Sequence, residues 1–359
     1  MFHRYGRART SSERQRPSQP TAGPGGPRSL WVFAGQGAQQ PHMGVGLSAA
    51  PDLFERVRSV AGLDLAPACV LDETAHWDQP VVQAAILTIE TASAQACRAR
   101  GARPDAVLGH SFGEYAALVI AESLTFDDAV RLAVARGQAM AGLADGSTAM
   151  AAVIGATNEA VEEVCDDLLR SGVPVHVAAY NSPGQTVLAG TREGLALAAP
   201  RLRAAGAART RTLPVPFAAH SPYMAAVQER LGQALEPIRV DPPRVPYYSS
   251  VTGDRVRRPD EIRALLVRSV AEPVRFRQAV ANALSEGYES YEGSDGSEGY
   301  DSVLEVGSDR PPRLLGLVGE ICRCDVPERP PPRLCAVAAD RDAPDGRPFV
   351  PTAAPAVRS

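Results

Sequence analysis

The chain has 359 residues, 45% of them hydrophobic, which is enough for a sizeable core and predicts two domains or one domain with a subdomain. A net charge of -4, with every basic side chain an arginine and no basic block interleaved with aromatics in the body, argues against nucleic acid as a partner. No stretch reaches ~18 consecutive apolar residues, so no membrane-spanning helix is expected, and the six scattered cysteines predict reduced thiols in a cytoplasmic protein without a metal centre.

Residues 1–28 scatter Arg4, Arg7, Arg9, Arg14, Arg16 and Arg28 among Ser, Gln, Pro and Gly, with no apolar run that could serve as a signal peptide. This stretch is predicted to be a disordered tail. Order begins with the apolar strand Leu30-Trp31-Val32-Phe33-Ala34, followed by the loop Gly35-Gln36-Gly37-Ala38-Gln39-Gln40. Apolar residues at helical spacing then predict a helix from Gln79 to about Arg100, ended by Gly101.

The next stretch organises the chain. Val107-Leu108-Gly109-His110-Ser111-Phe112-Gly113-Glu114 reads as a buried strand turning through Gly-x-Ser-x-Gly into a helix, the arrangement that holds a serine hydroxyl out on a sharp turn. The glycines allow strand and helix backbones to come close, and the helix directs its first free N–H groups at whatever Ser111 attacks. Thr125 and Asp128 then mark a helix start that leads to Arg136, a single charge on a small and apolar helix. Arg136 has two readings, a structurally paired charge or an anchor for an anionic substrate.

From 148 to 215 the order strand, helix, strand, strand, helix, strand predicts a ferredoxin-like subdomain inserted in a larger α/β body, with a binding cleft between the two. His220 follows where the chain returns to the body, well placed to face Ser111 as general base. The other histidines are poorer candidates: His3 is in the tail, His42 and His76 are in loops, His176 is in a subdomain strand, and His110 is expected to point away by strand alternation.

Across residues 29–325 the sequence resembles the malonyl-CoA:acyl-carrier-protein acyltransferase family of fatty acid and polyketide synthases. The resemblance rests on nine blocks in order: Phe33 to Gln39, Gln79-Pro80, Gly109 to Glu114, Arg136, Ala149 to Val153, Asn181 to Gln185, His220-Ser221-Pro222, Pro273 to Phe276, and Leu304 to Gly307. It implies an α/β-hydrolase-like large subdomain from 29–147 and 216–325 and the ferredoxin-like small one from 148–215, while the Pro- and Arg-rich stretch beyond, with little periodicity, predicts a C-terminal arm over 326–359, poorly packed and partly disordered. It also implies Ser111 as nucleophile, His220 as base oriented by a backbone carbonyl assigned to Arg275, and an oxyanion hole from the N–H groups of Gln36 and Phe112. Arg136 would clamp the free carboxylate of a malonyl-type group, Gln79 and Asn181 would line the pocket, and Phe217 and Ala219 would stand beside the acyl chain. A phosphopantetheinylated acyl carrier protein and a malonyl-type CoA thioester are the implied partners, no cofactor is implied, and a monomer is expected.

The chain departs from the family pattern in three places. Ala34 and Ala38 replace the usual Pro and Ser of the first loop, Ser308-Asp309-Arg310-Pro311-Pro312 stands where Pro-Gly is usual, and Ser285 to Ser290 recurs as Ser297 to Ser302. That duplication predicts a lengthened, acidic surface loop, which on a docking face would repel an acidic carrier protein. Two other functions use the same residues: an acyl-thioester hydrolase, against which Arg136 argues, and a non-catalytic carrier-binding module, against which the intact Ser111, His220 and Gln36 argue. Malonyl is the expected acyl group, with methylmalonyl or ethylmalonyl next, because Ala219 is small.

Overall fold

The computed structural model describes residues 28–40, 42–45, 47, 50–70, 78–289, 299–307, 312–328 and 330–337. The expectations for 1–27, for the Pro-Gly position at 308–311 and for the middle of the acidic duplication lie outside these residues.

Two sheets carry the chain. The larger is built on β1 (Ser29–Phe33) and β2 (Ala106–Gly109), parallel neighbours whose side chains are buried on both faces apart from Ser29. Continuous apolar runs such as Leu-Trp-Val-Phe suit a parallel strand covered by helices on either side. On the far side of β1 lies β9 (Ser302–Val306), also parallel, and beyond it β10 (Arg333–Val337). The two-residue strands β7 (Tyr247–Tyr248) and β8 (Arg255–Val256) complete the order β10-β9-β1-β2-β7-β8. Helix α3 (Gln79–Ala99) begins where the Asp78 carboxylate accepts the Val81 N–H, and α5 (Phe126–Ala141) begins where Thr125 does the same for Asp128, so both predicted helix starts carry a capping side chain.

The second sheet holds β3 (Thr148–Ile154), β4 (Val175–Ser182), β5 (Gln185–Thr191) and β6 (Arg209–Thr212) in the all-antiparallel order β4-β5-β3-β6. Helices α6 (Asn158–Arg170) and α7 (Arg192–Ala204) cover one face and enclose a small core with Val153, Val161 and Leu188. That strand order and cover are those of the ferredoxin-like fold. Met150, Val187 and Ala189, on the other face, join the core of the larger body.

The two parts are latched at one side. Backbone bonds link Tyr180 N to Val274 O (2.8 Å) and Val274 N to Ala178 O (2.9 Å). Glu320 of α11 (Leu315–Cys324) accepts from Ser182 Oγ at 2.7 Å and Gly184 N at 2.9 Å, pinning the β4–β5 turn. Arg277, in α10 (Phe276–Glu289), donates to both Asp325 oxygens and to Asn158 Oδ1.

Two expectations change. The segment beyond 325, expected as a loose arm, supplies β10, because Cys335 and Val337 provide the alternating buried apolar side chains that an edge strand needs. The duplicated tract is also more than a surface loop. Its first copy, Ser285 and Glu286 included, continues α10, where Tyr248 Oη donates to Glu286 at 3.0 Å. Its second copy leads into β9, with Tyr300 buried and the Arg28 guanidinium 5.0 Å over its ring. An aromatic with a cation above it anchors the copy that lies against the sheet. Among the described residues no helix is long and apolar enough to cross a membrane.

The turn after β2 is tight enough to require its glycines. A Cβ on Gly109 would lie 2.1 Å from Glu114 N, and one on Gly113 2.3 Å from the carbonyl oxygen of Phe33. Backbone atoms cannot swing aside as a side chain can, so Gly113→Ala is expected to destabilise the protein by more than the ~1–3 kcal/mol of ordinary overpacking. A melting temperature within a degree or so of the parent would contradict this close approach.

Candidate active site

The turn brings Ser111 out of the strand in a left-handed conformation, φ 54°, and His220 is held at φ 60°. Neither residue is glycine, so each conformation costs roughly 1–3 kcal/mol and persists only because its surroundings enforce it. The two strained residues meet: Ser111 Oγ lies 2.7 Å from His220 Nε2. The other ring nitrogen, Nδ1, faces the backbone carbonyls of Ser269 (2.7 Å) and Glu272 (3.2 Å). Carbonyls only accept, so Nδ1 carries the hydrogen, and Nε2 presents its lone pair to the serine hydroxyl.

This geometry corrects the assignment of the orienting carbonyl to Arg275. The Arg275 N–H donates to Ser250 O at 2.5 Å, and its guanidinium sits 5.8 Å from the Tyr180 ring. The carbonyls that reach His220 come instead from the end of α9 (Pro259–Arg268) and the turn after it, where His220 N also donates to Val270 O. Helix ends leave carbonyls without intrahelical partners, which is why this segment has acceptors to offer.

Buried at 6% exposure, His220 has its pKa pushed down to about 3. Burial is the main cause, followed by the charge of Arg136 and by His110, against the upward pull of the two carbonyls. The imidazole is therefore neutral across the ordinary histidine range. Since kcat/KM for acylation reports the free protein, its pH profile is expected to stay flat as pH falls through 6.5. An acidic limb centred on that value would refute this picture of His220.

His110 is a second correction. It lies one residue beyond the end of β2, where alternation no longer applies, and it turns toward the site. Its Nε2 donates to Asn181 Oδ1 at 2.8 Å, and its ring packs 5.2 Å from that of Phe276. Burial lowers its pKa, so it too is neutral. Asn181 Nδ2 in turn donates to Gln185 Oε1, so the β4–β5 end of the small sheet is tied to the turn that carries Ser111.

Arg136 is the most unusual group in the site. It is 3% exposed, its guanidinium lies 5.4 Å over the Phe112 ring, and neither Nε nor Nη1 has a hydrogen-bond partner. Burial lowers its pKa, and the interactions that offset this come from Tyr115 and Glu114. Glu114 is otherwise engaged, its Oε1 accepting from Tyr247 Oη, Ser249 Oγ and Ser250 N. A buried charge with open donors is costly, and an entering carboxylate would relieve that cost. Gly137 sets the depth of this group. A Cβ there would stand 2.6 Å from Pro80 Cα, so only glycine lets α5 approach α3 this closely.

The remaining predicted residues surround this centre. Gln36 Nε2 donates to Gln79 Oε1 at 3.0 Å, which fixes the loop after β1 against the start of α3. The backbone N–H groups of Gln36 and Phe112 are engaged in no hydrogen bond among the described residues. Phe217 and Ala219 are buried just before His220, in the segment tied to β3 by Ala218 N donating to Thr148 Oγ1. Two groups had escaped sequence reasoning: Tyr115, whose buried hydroxyl is unpartnered, and Gln83, whose amide donates to Met140 Sδ while its Oε1 has no partner. Gln83 lies one helical turn beyond Gln79, and that spacing is the signal that could have found it.

A strand–turn–helix elbow that sets its serine hydroxyl against a neutral histidine, in an α/β body with an inserted ferredoxin-like part, is an arrangement suited to chemistry at a serine. The family model described as the acyl transferase domain matches residues 30–291, and the chain belongs to that family. It is 32% identical over 267 residues to the malonyl CoA-acyl carrier protein transacylase of Bacillus subtilis, covering 73% of this chain and 84% of that one. It is 34% identical to the transacylase of the same name from Escherichia coli strain K12, covering 72% and 86%. Among solved structures, a holo type II polyketide synthase acyl carrier protein in complex with its malonyl transacylase superimposes with a TM-score of 0.76 at 29% identity, covering 87% of this chain and 96% of that one.

Proposed function

We propose that this protein moves a malonyl group from coenzyme A to the phosphopantetheine thiol of an acyl carrier protein, through an ester on Ser111. The observation that carries the reading is Arg136, a buried guanidinium with two open donor positions near a serine–histidine pair. Malonyl-CoA is a thioester with a free carboxylate at its far end, so it supplies both the electrophile for the serine and the anion for the arginine.

In the first half-reaction the Ser111 hydroxyl passes its proton to His220 Nε2 as Oγ attacks the thioester carbonyl. The negative charge that develops on the carbonyl oxygen is met by the free N–H groups of Gln36 and Phe112. The intermediate then collapses, the carbon–sulfur bond breaks, and the CoA thiolate takes the proton from the imidazolium. The second half-reaction runs the same steps in reverse with the carrier's thiol. The carbonyls of Ser269 and Glu272 hold the ring in one tautomer throughout and accept from Nδ1–H while the ring is charged.

Hydrolytic removal of monocarboxylic acyl groups fits less well, because it would leave Arg136 unpaired. At C2 the pocket is permissive: Ala219 is small and buried, so methylmalonyl is the close runner-up to malonyl. One methylene in such a pocket is worth about 1–3 kcal/mol, so selectivity is expected to be a preference. Competition of malonyl-, methylmalonyl- and acetyl-CoA for one carrier protein, followed by intact-mass spectrometry, tests this. Malonyl transfer should dominate, and a clear win for acetyl would overturn the role given to Arg136.

A further inference from the structure

One acidic side chain close to the site has no part in the steps above. Glu90 is buried midway along α3, and neither of its carboxyl oxygens completes a hydrogen bond among the described residues. Few carboxyls stay unpartnered in a protein interior, because the charged form loses its water and gains nothing in return. The charge that acts on it is a second carboxylate, that of Glu305, which is itself held by the N–H groups of Arg313, Leu314 and Leu315. Burial first, and that carboxylate in the same direction, push the Glu90 acid well above the usual carboxylate range, so it keeps its proton. A neutral carboxyl can both accept and donate.

Its place in the fold is the corner where two strands end. β1 and β9 pair as far as Phe33↔Val306, so Ala34 and Gly307 are the first residues past the ladder on neighbouring strands. Glu90 fills the angle between them. A Cβ on Gly307 would stand 2.5 Å from Glu90 Cγ, and the interaction that offsets the burial of Glu90 comes from the Ala34 N–H, which does not close to an ordinary hydrogen bond. Two residues beyond Ala34 comes Gln36, whose side chain is bonded to Gln79 of the same helix. From Gln79 to Glu90 is close to three full turns, so both lie on one face of α3. The loop that carries the Gln36 N–H is thus held from one helix face, by an amide pair at its far end and by a carboxyl at its root.

We propose that Glu90 is a positioning residue for acyl transfer: its carboxyl gathers the ends of β1 and β9 and sets where the Gln36 N–H stands when charge develops on the thioester oxygen. The assignment rests on the role given above to that N–H in malonyl transfer. The demand on placement is steep, since losing one oxyanion donor costs about 10²–10³-fold in rate and a shift of ~1 Å can cost about 10²-fold. An apolar side chain of similar length would fill the same corner at lower cost to the fold. What it would not supply is a polar contact for the Ala34 N–H at the root of the loop.

Glu90→Met and Glu90→Gln separate this role from a structural one. In single turnovers with malonyl-CoA, Glu90→Met is expected to lower the limiting rate of Ser111 acylation about 10–100-fold and to leave the half-saturating concentration within about 2-fold, because Arg136 is untouched. Its melting temperature should equal or exceed the parent's, since an unpartnered buried carboxyl gives way to an apolar side chain. Glu90→Gln keeps the shape and both hydrogen-bonding functions without a charge, and should recover most of the rate. A Glu90→Met protein that acylates at the parental rate would overturn the proposal. So would a loss of rate together with a lower melting temperature, which would make Glu90 a packing residue, or a Glu90→Gln protein as slow as Glu90→Met, which would mean that the ionised acid is required. If the parent protein itself formed no malonyl ester, the transfer function would fall, and this role with it.

Discussion

Ser111→Ala is expected to abolish the acyl adduct that malonyl-CoA leaves on the protein, and His220→Asn to slow its formation by about 10²–10⁴-fold. Asparagine is the instructive replacement because residue 220 sits at φ 60°, a conformation asparagine adopts more readily than most residues. The fold is thus kept while the base is lost. The expectation follows from a neutral serine being a weak nucleophile and from a ring whose lone pair is already 2.7 Å from the hydroxyl. Intact-mass spectrometry with time-resolved quenching reads both effects. An adduct that persists on another residue, or a His220→Asn protein that acylates at the parental rate, would sink the dyad.

The second large effect belongs to Arg136, where activity and stability are expected to move in opposite directions. Arg136→Met should lower malonyl transfer at least ~100-fold, because removing a buried charge partner costs about 2–5 kcal/mol. Arg136→Lys should restore only part, since an ammonium cannot offer two parallel donors to a carboxylate. The ligand-free protein, however, should gain in melting temperature, because its buried guanidinium has open donors and only Tyr115, Glu114 and the Phe112 ring to set against its burial. Arg136 is also the second cause of the low His220 pKa, so the variant should move the acidic limb of the acylation profile upward. A variant that loses both activity and stability would mean that Arg136 holds the fold together and is not waiting for an anion.

How much of this was legible in the sequence depended on whether the signal was periodic or local. The elbow, α3, α5 and the six elements of the small subdomain follow patterns of period two or 3.6 and capping residues such as Thr125, and they stand in the structure as read. Ser111, His220 and Arg136 could be singled out as candidates because each is a chemically distinctive side chain at a turn or on an apolar helix. The orienting carbonyls of Ser269 and Glu272 were not, because any residue can present a carbonyl and only the fold decides which one does. His110 was misread for a related reason: alternation is a rule about strands, and the strand stops at Gly109. β10 was missed because the prolines at 330–332 masked the alternation in the residues that follow them.

The position of β9 bears on how this catalyst could be moved between proteins. The match to the family model ends at residue 291, yet the strand that flanks β1 on one side begins at Ser302, and β10 covers that strand in turn. A gene fragment cut where that match ends would strip β1 of a neighbour and leave an apolar edge open to pairing with other chains. It would also remove Glu320, and with it the clip on the hairpin that carries Asn181. The smallest portable cassette therefore runs to about Val337, and a graft that stops earlier is expected to accumulate as aggregate and not as a weakened enzyme.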